Sequence, residues 1–210
     1  MIETTHTLHR QGDSLKEDYV VLTMSAKGVN EEGASPKLAR SLKIMLKAGA
    51  VNLGDMKTGN IYRVNLEQMI NHVDNRSIVH GVFVNKNDLI KVLCFLKDAD
   101  LGMSVVVSGV FDEVFGAVKK TGLKPHSVNI SLGVWGKREL LPREEYLKIS
   151  TMCGHGMISP FLIEKLVLDV KKERVTLDKA SRKLAECCVC GVFNSERAAK
   201  LIRNLTGRVP

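Results

Sequence analysis

The chain has 210 residues, 44% hydrophobic and 26% charged, which is enough apolar material to bury a core without a disulfide staple. No apolar run approaches the roughly 20 residues that a membrane-crossing helix needs. The first ten residues hold two histidines and no apolar stretch, so they do not read as a secretory signal, and a soluble cytoplasmic protein without a membrane partner is expected. The net charge is +8, and residues 137–210 carry 15 basic against 9 acidic residues, so six of the eight excess charges fall in the last third.

Residues 19–24 (YVVLTM) predict the first strand, and Ser35-Pro36 supply a cap and first turn for a helix to about residue 47. The stretch VNLGDMKTGN, rich in turn formers, reads as a loop and is followed by a short helix over residues 66–73. A second strand is expected over residues 78–84. Asn85, Asn87 and Asp88 then cap a helix to about residue 96. Residues 103–107 (MSVVV) do not alternate, which predicts a central strand buried on both faces. A helix over residues 111–121 follows, and the alternation over residues 127–134 predicts an edge strand.

Strands alternating with helices imply an α/β fold with a small, mostly parallel four-stranded sheet and flanking helices over residues 1–136, a domain suited to a small ligand or a partner. Past Gly136 the strand signals stop. Four helices, over residues 143–152, 160–172, 177–186 and 195–205, predict a small all-helical C-terminal domain spanning residues 137–210.

Four of the five cysteines lie in the last 60 residues, in TMCGHGMIS and ECCVCGVFN. In a reducing compartment such clustering points to ligation rather than to disulfides. Short connections make successive helices antiparallel, so the ends of the first and third C-terminal helices share a pole. Cys153 and His155 are therefore expected near Cys187, Cys188 and Cys190, with either Cys187 or Cys188 as a ligand. Three thiolates and an imidazole suit zinc, while three cysteines with a nonstandard fourth ligand suit an iron–sulfur cluster. Each motif also precedes a predicted helix, whose amides would favour thiolates. Two other readings compete: plain packing of small buried residues, and a nucleophilic Cys153 beside His155. Cys94, in LIKVLCFL, reads as core.

Elsewhere, His6 and His9 stand one helical turn apart as an alternative metal pair, and His72, His80 and His126 lack partners in sequence. A parallel sheet gathers ligands at the carboxyl ends of its strands, which nominates Ser25, Lys27, Ser108 and Gly109 as an anion or cofactor site. No dinucleotide or P-loop glycine motif supports it. The basic helices, with Lys171, Lys172, Arg174, Arg182, Lys183, Arg197, Lys200 and Arg203, suit an acidic redox partner or duplex nucleic acid. With aromatic residues at only 5%, a stacking platform for single strands is disfavoured. The reading that unites these features is a metal- or iron–sulfur-binding redox enzyme or accessory subunit. Its alternative is a zinc-stabilised binding module.

Overall fold

A computed structural model describes residues 10, 12–130 and 133–207. Among the described residues five strands form one sheet: β1 (Tyr19–Met24), β2 (Asn52–Asp55), β3 (Gly59–Asn60), β4 (Ile78–Phe83) and β5 (Ser104–Ser108). Their order is β3-β2-β4-β1-β5, and every neighbouring pair is antiparallel. The helices are α1 (Ala34–Ala48), α2 (Leu66–His72), α3 (Lys86–Ala99), α4 (Phe111–Thr121), α5 (Glu144–Ser150), α6 (Pro160–Lys171), α7 (Leu177–Cys187) and α8 (Ser195–Thr206).

The mostly parallel four-stranded sheet is therefore incorrect: β1 runs opposite to both β4 and β5, because β2, in a stretch expected to be a loop, intervenes between α1 and β4. β1 and β2 both run antiparallel to β4, so the crossover through α1 joins strands of the same direction. β4 and β5 both run antiparallel to β1, so α3 does the same. In each case the third strand slots between the two, giving a split β-α-β arrangement in which no parallel pair touches. Residues 52–60 also contribute two strands, β2 and β3, where the turn-forming residues predict a loop.

Two further strand expectations change. β5 is an edge strand, not a central one. Its run of valines is only partly covered: Val106 packs against the C-terminal core and Val107 against the core on the other face, while Val105 is exposed. The edge strand expected over residues 127–134 is represented among the described residues by a single bridge at Ile130; Ser131 and Leu132 lie outside them. The histidine pair His6 and His9 also lies outside the described residues.

The side-chain alternation of β1 and β4 feeds two cores. Tyr19, Val21, Val79 and Phe83 pack with Leu38, Leu42 and Met45 of α1 and Leu89, Val92 and Leu93 of α3. Val20, Leu22 and Val82 point to the other face and pack with Ile149, Ile163, Leu166, Leu184, Phe193 and Ile202 from the C-terminal helices. Complete burial on both faces accounts for the uninterrupted apolar run of β1. Starts of four helices are fixed by side chains that accept from the first-turn amides: Asn65 for α2, Asn85 for α3, Thr176 for α7 and Asn194 for α8. No helix among the described residues is long and apolar enough to cross a membrane.

Candidate metal centre

Cys153 follows the C-terminus of α5, Cys188 caps the C-terminus of α7, and residues 188–194 form the loop into α8. Packing of these short helices against one another brings the two loops together. There the Sγ atoms of Cys188 and Cys190 are 3.9 Å apart, and Cys190 Sγ stands 3.6 Å from His155 Nδ1. Cys153 lies close enough to Cys188 for the two thiols to shift each other's proton affinity. The three sulfurs are buried, with relative exposures of 3%, 0% and 1%, whereas His155 lies at the surface. Among the described residues no set of three or more His, Cys, Asp and Glu side chains is already disposed about a metal position. What converges is two edges of a polyhedron, Cys188–Cys190 and Cys190–His155, with Cys153 tied to one end.

The backbone of these loops faces the sulfurs. Amides of His155 and Met157 favour the Cys153 thiolate, and the Val192 amide favours those of Cys188 and Cys190. The amide donors come from the loops themselves rather than from helix N-termini, since Cys153 and Cys188 sit just past helix C-termini. Gly54 and Gly191 allow the approach of the loop to the sheet: a Cβ on Gly54 would stand 2.3 Å from the Cys190 carbonyl oxygen, and Gly191 has φ +78°.

Coupling among the thiols separates their proton affinities. The hydrogen bond with Cys188, then burial, pushes Cys153 far above an ordinary thiol. At Cys188 the Cys153 hydrogen bond pulls down, but the hydrogen bond with Cys190, burial and the Cys190 charge outweigh it and hold the group up at about 12. Cys190 is lowered, chiefly by the Cys188 hydrogen bond, helped by the Val192 amide and the Arg10 guanidinium against burial. Cys190 is thus the thiol that ionises first.

Cys187 stands apart. Its thiol is half-buried and donates to the Lys183 carbonyl at 3.4 Å, within its own helix, and burial raises it. Between the two adjacent cysteines, the structure brings Cys188 to the cluster.

Residues that sequence reasoning passed over hold both loops. The β2–β3 hairpin underlies the second one: Asn60 Nδ2 donates to the carbonyls of Ala185 (2.9 Å) and Cys188 (2.7 Å), and Asn52 Nδ2 donates to that of Phe193 (2.9 Å). Arg10 joins the two loops, donating to the carbonyls of Met152 and Val192 and pairing with Asp18. Asp18 also takes Arg197 at 2.8 Å, with all three residues buried. His80, buried on the same sheet face, pairs across β2–β4 with Gly54. The turn formers between Asn52 and Asn60 mask the hairpin, and nothing local marks Arg10.

The remaining candidates do not assemble. Antiparallel pairing sets Met24 opposite Ser104 and Val20 opposite Ser108, so Ser25 and Lys27 lie at one end of the sheet and Ser108 and Gly109 at the other. The common rim that a parallel sheet would provide is missing. Ser25 Oγ donates to the Asn75 carbonyl at 2.6 Å, Lys27 is exposed, and Gly109 packs against the Tyr19 ring and Val114. Among the basic residues of the C-terminal helices, Arg197 is interior. Lys165, Arg182 and Lys200 pair with Asp169, Asp178 and Glu17. No protein-family model matches the chain, and neither a curated protein nor a solved structure matches it significantly.

Proposed function

We propose that this chain is a metal-binding protein in which one soft divalent ion, zinc foremost, is held by Cys153, His155, Cys188 and Cys190 and fastens the C-terminal helices as a binding module. The observation that carries this reading is the pair of edge lengths. Zinc bonds of about 2.3 Å to sulfur and about 2.0 Å to nitrogen, at the tetrahedral angle, require S···S near 3.8 Å and S···N near 3.5 Å. The distances of 3.9 and 3.6 Å lie within about 0.1 Å of those edges.

In a [4Fe–4S] cluster each thiolate binds a separate iron, which spreads the sulfurs beyond the edge of a one-ion tetrahedron, whereas a [2Fe–2S] cluster, like a single ion, takes two ligands at one iron. The close approach of Cys188 and Cys190 therefore disfavours a [4Fe–4S] cluster and suits two thiolates at one metal. With all four positions filled, zinc is structural, and the module presents its excess positive charge to an anionic partner, an acidic protein ahead of nucleic acid. Iron in the same four ligands would instead make a one-electron centre. A specific observation supports that second reading: His155 is exposed while the sulfurs are buried, so it is the edge an acidic redox partner would reach.

Metal and inorganic sulfide, measured together in protein purified without oxygen, test the reading. One zinc per chain without sulfide is expected, retained in Cys187→Ser and lost in Cys188→Ser and Cys190→Ser. Iron with matching sulfide would replace the single ion by a cluster, and a wild type free of any metal would remove the reading.

A further inference from the structure

We infer that the outward face of α1, continued by Lys91 of α3, is the docking surface for an acidic, amphipathic protein segment. The inference rests on the anionic partner named above and is independent of the ion: it assigns that partner a face on the sheet's other helical layer.

Arg40, Lys43 and Lys47 follow one another at intervals of three and four, which sets them on one stripe of α1 about 10 Å long. The opposite face carries Leu38, Leu42 and Met45 into the core, so the three cations face solvent, and all three are exposed. α1 contains no acidic residue, and among the described residues none of its cations forms an ion pair. Residues 1–136 hold 16 basic against 14 acidic residues, so the stripe is a local concentration and not a share of a general excess. In the C-terminal layer, by contrast, Lys148, Lys165, Arg182 and Lys200 each meet a carboxylate.

Where α1 and α3 meet, the Nζ atoms of Lys47 and Lys91 both lie over the Phe95 ring, 5.2 and 5.9 Å from its centroid. The negative face of the ring holds side by side two like charges that would otherwise move apart in water. A carboxylate arriving there meets both at once. In the two helices the acidic residues are Asp88, whose Oδ2 accepts from Asn85 Nδ2 at 2.6 Å, and Asp98, exposed three residues past Phe95. Neither pairs with a cation of the stripe. Leu46, 47% exposed, flanks the stripe, and Phe95 is half-buried beside it. That apolar area decides between polyanions. A nucleic-acid backbone makes its contacts through phosphate and sugar and offers a leucine nothing, whereas a protein segment carrying carboxylates beside an apolar residue matches both parts of the surface.

Fluorescence anisotropy on the full chain tests this with two probes: a labelled helical peptide bearing a face of glutamates flanked by leucines, and a random-sequence DNA duplex. The peptide is expected to bind more tightly than the duplex at physiological salt. Arg40→Glu with Lys43→Glu is expected to weaken the peptide roughly tenfold or more, because like charges then face each other. Leu46→Ser is expected to weaken it without changing its salt dependence. Lys171→Glu with Lys172→Glu makes the same change of net charge on the other layer and is expected to leave peptide binding near wild type, since charges beyond a Debye length are screened. Tighter binding of the duplex would overturn the inference in favour of nucleic acid. A loss in the Lys171 and Lys172 variant as large as in the Arg40 and Lys43 variant would overturn the face while keeping an anionic partner. A wild type that binds neither probe would overturn the anionic partner itself, with the metal content measured separately still deciding the ion.

Discussion

Adjacent in sequence, Cys187 and Cys188 have thiols in different surroundings, one bonded along its own helix and one inside the cluster. That contrast has a pH signature. In metal-free protein Cys153 and Cys188 hold their protons well above the ordinary thiol value of 9.0. With folded-state values raised above the unfolded one, their contribution to stability is complete below pH 9 and is lost as pH climbs toward the folded values. Above pH 9 the unfolded chain binds fewer protons, so unfolding free energy falls by up to about 1.4 kcal/mol per pH unit for each thiol. Metal-loaded protein has bare thiolates in the folded state and reverses the sign, gaining stability as pH rises toward 9. Thermal unfolding from pH 6 to 10.5 is expected to show stability rising toward pH 9 with zinc and falling above pH 9 without it; parallel curves would place these thiols outside any metal site. At this scale the sequence was informative about ligand types and silent about Arg10. Its role depends on contacts 142 and 182 residues away, and nothing in its local sequence reports them.

The β2–β3 hairpin shows how an element can escape pattern reading and still position a site. Its strands are NLGD and GN, too short and too poor in β-branched residues to register as strands. Their composition serves contact: glycine for backbone approach and asparagines for the carbonyls of the cysteine loop. Gly54→Ala puts a methyl 2.3 Å from the Cys190 carbonyl oxygen and 2.7 Å from the Gly191 nitrogen, and backbone cannot step aside as a side chain can. We expect a loss of about 1–3 kcal/mol in stability together with weaker metal binding. Gly116→Ala, in α4, meets chiefly the flexible end of Lys86 and serves as the control that leaves binding unchanged. Helices were legible for the opposite reason. Asn85, Thr176 and Asn194 announce starts through contacts only three residues long, and sequence carries such local bonds openly.

Across the whole molecule, one antiparallel sheet separates two helical layers, and the cysteine loops close the second layer against the sheet. Alternation of strand and helix misled on direction at the first crossover, because β2 was hidden in a loop-like stretch and the strand expected after α1, β4, runs opposite to β1. Nor could it reveal that β4 inserts between β1 and β2 and β1 between β4 and β5, because pairing partners lie tens of residues away. The pole shared by Cys153, His155, Cys188 and Cys190 was readable from helix count and loop length alone, since parity needs no knowledge of the sheet. If an ion fastens that pole, chelation should raise amide hydrogen exchange at His155, Met157 and Val192 while leaving β1 and β4 protected, because the other core does not depend on it. Uniform loss of protection would point instead to a fold that depends on the ion throughout. X-ray absorption at the zinc edge of the loaded, full-length protein tests the central claim most directly. Three sulfurs at about 2.3 Å and one nitrogen at about 2.0 Å around zinc are expected. A shell of oxygen and nitrogen alone, or a short metal–metal distance in an iron-loaded sample, would contradict a single ion held by Cys153, His155, Cys188 and Cys190.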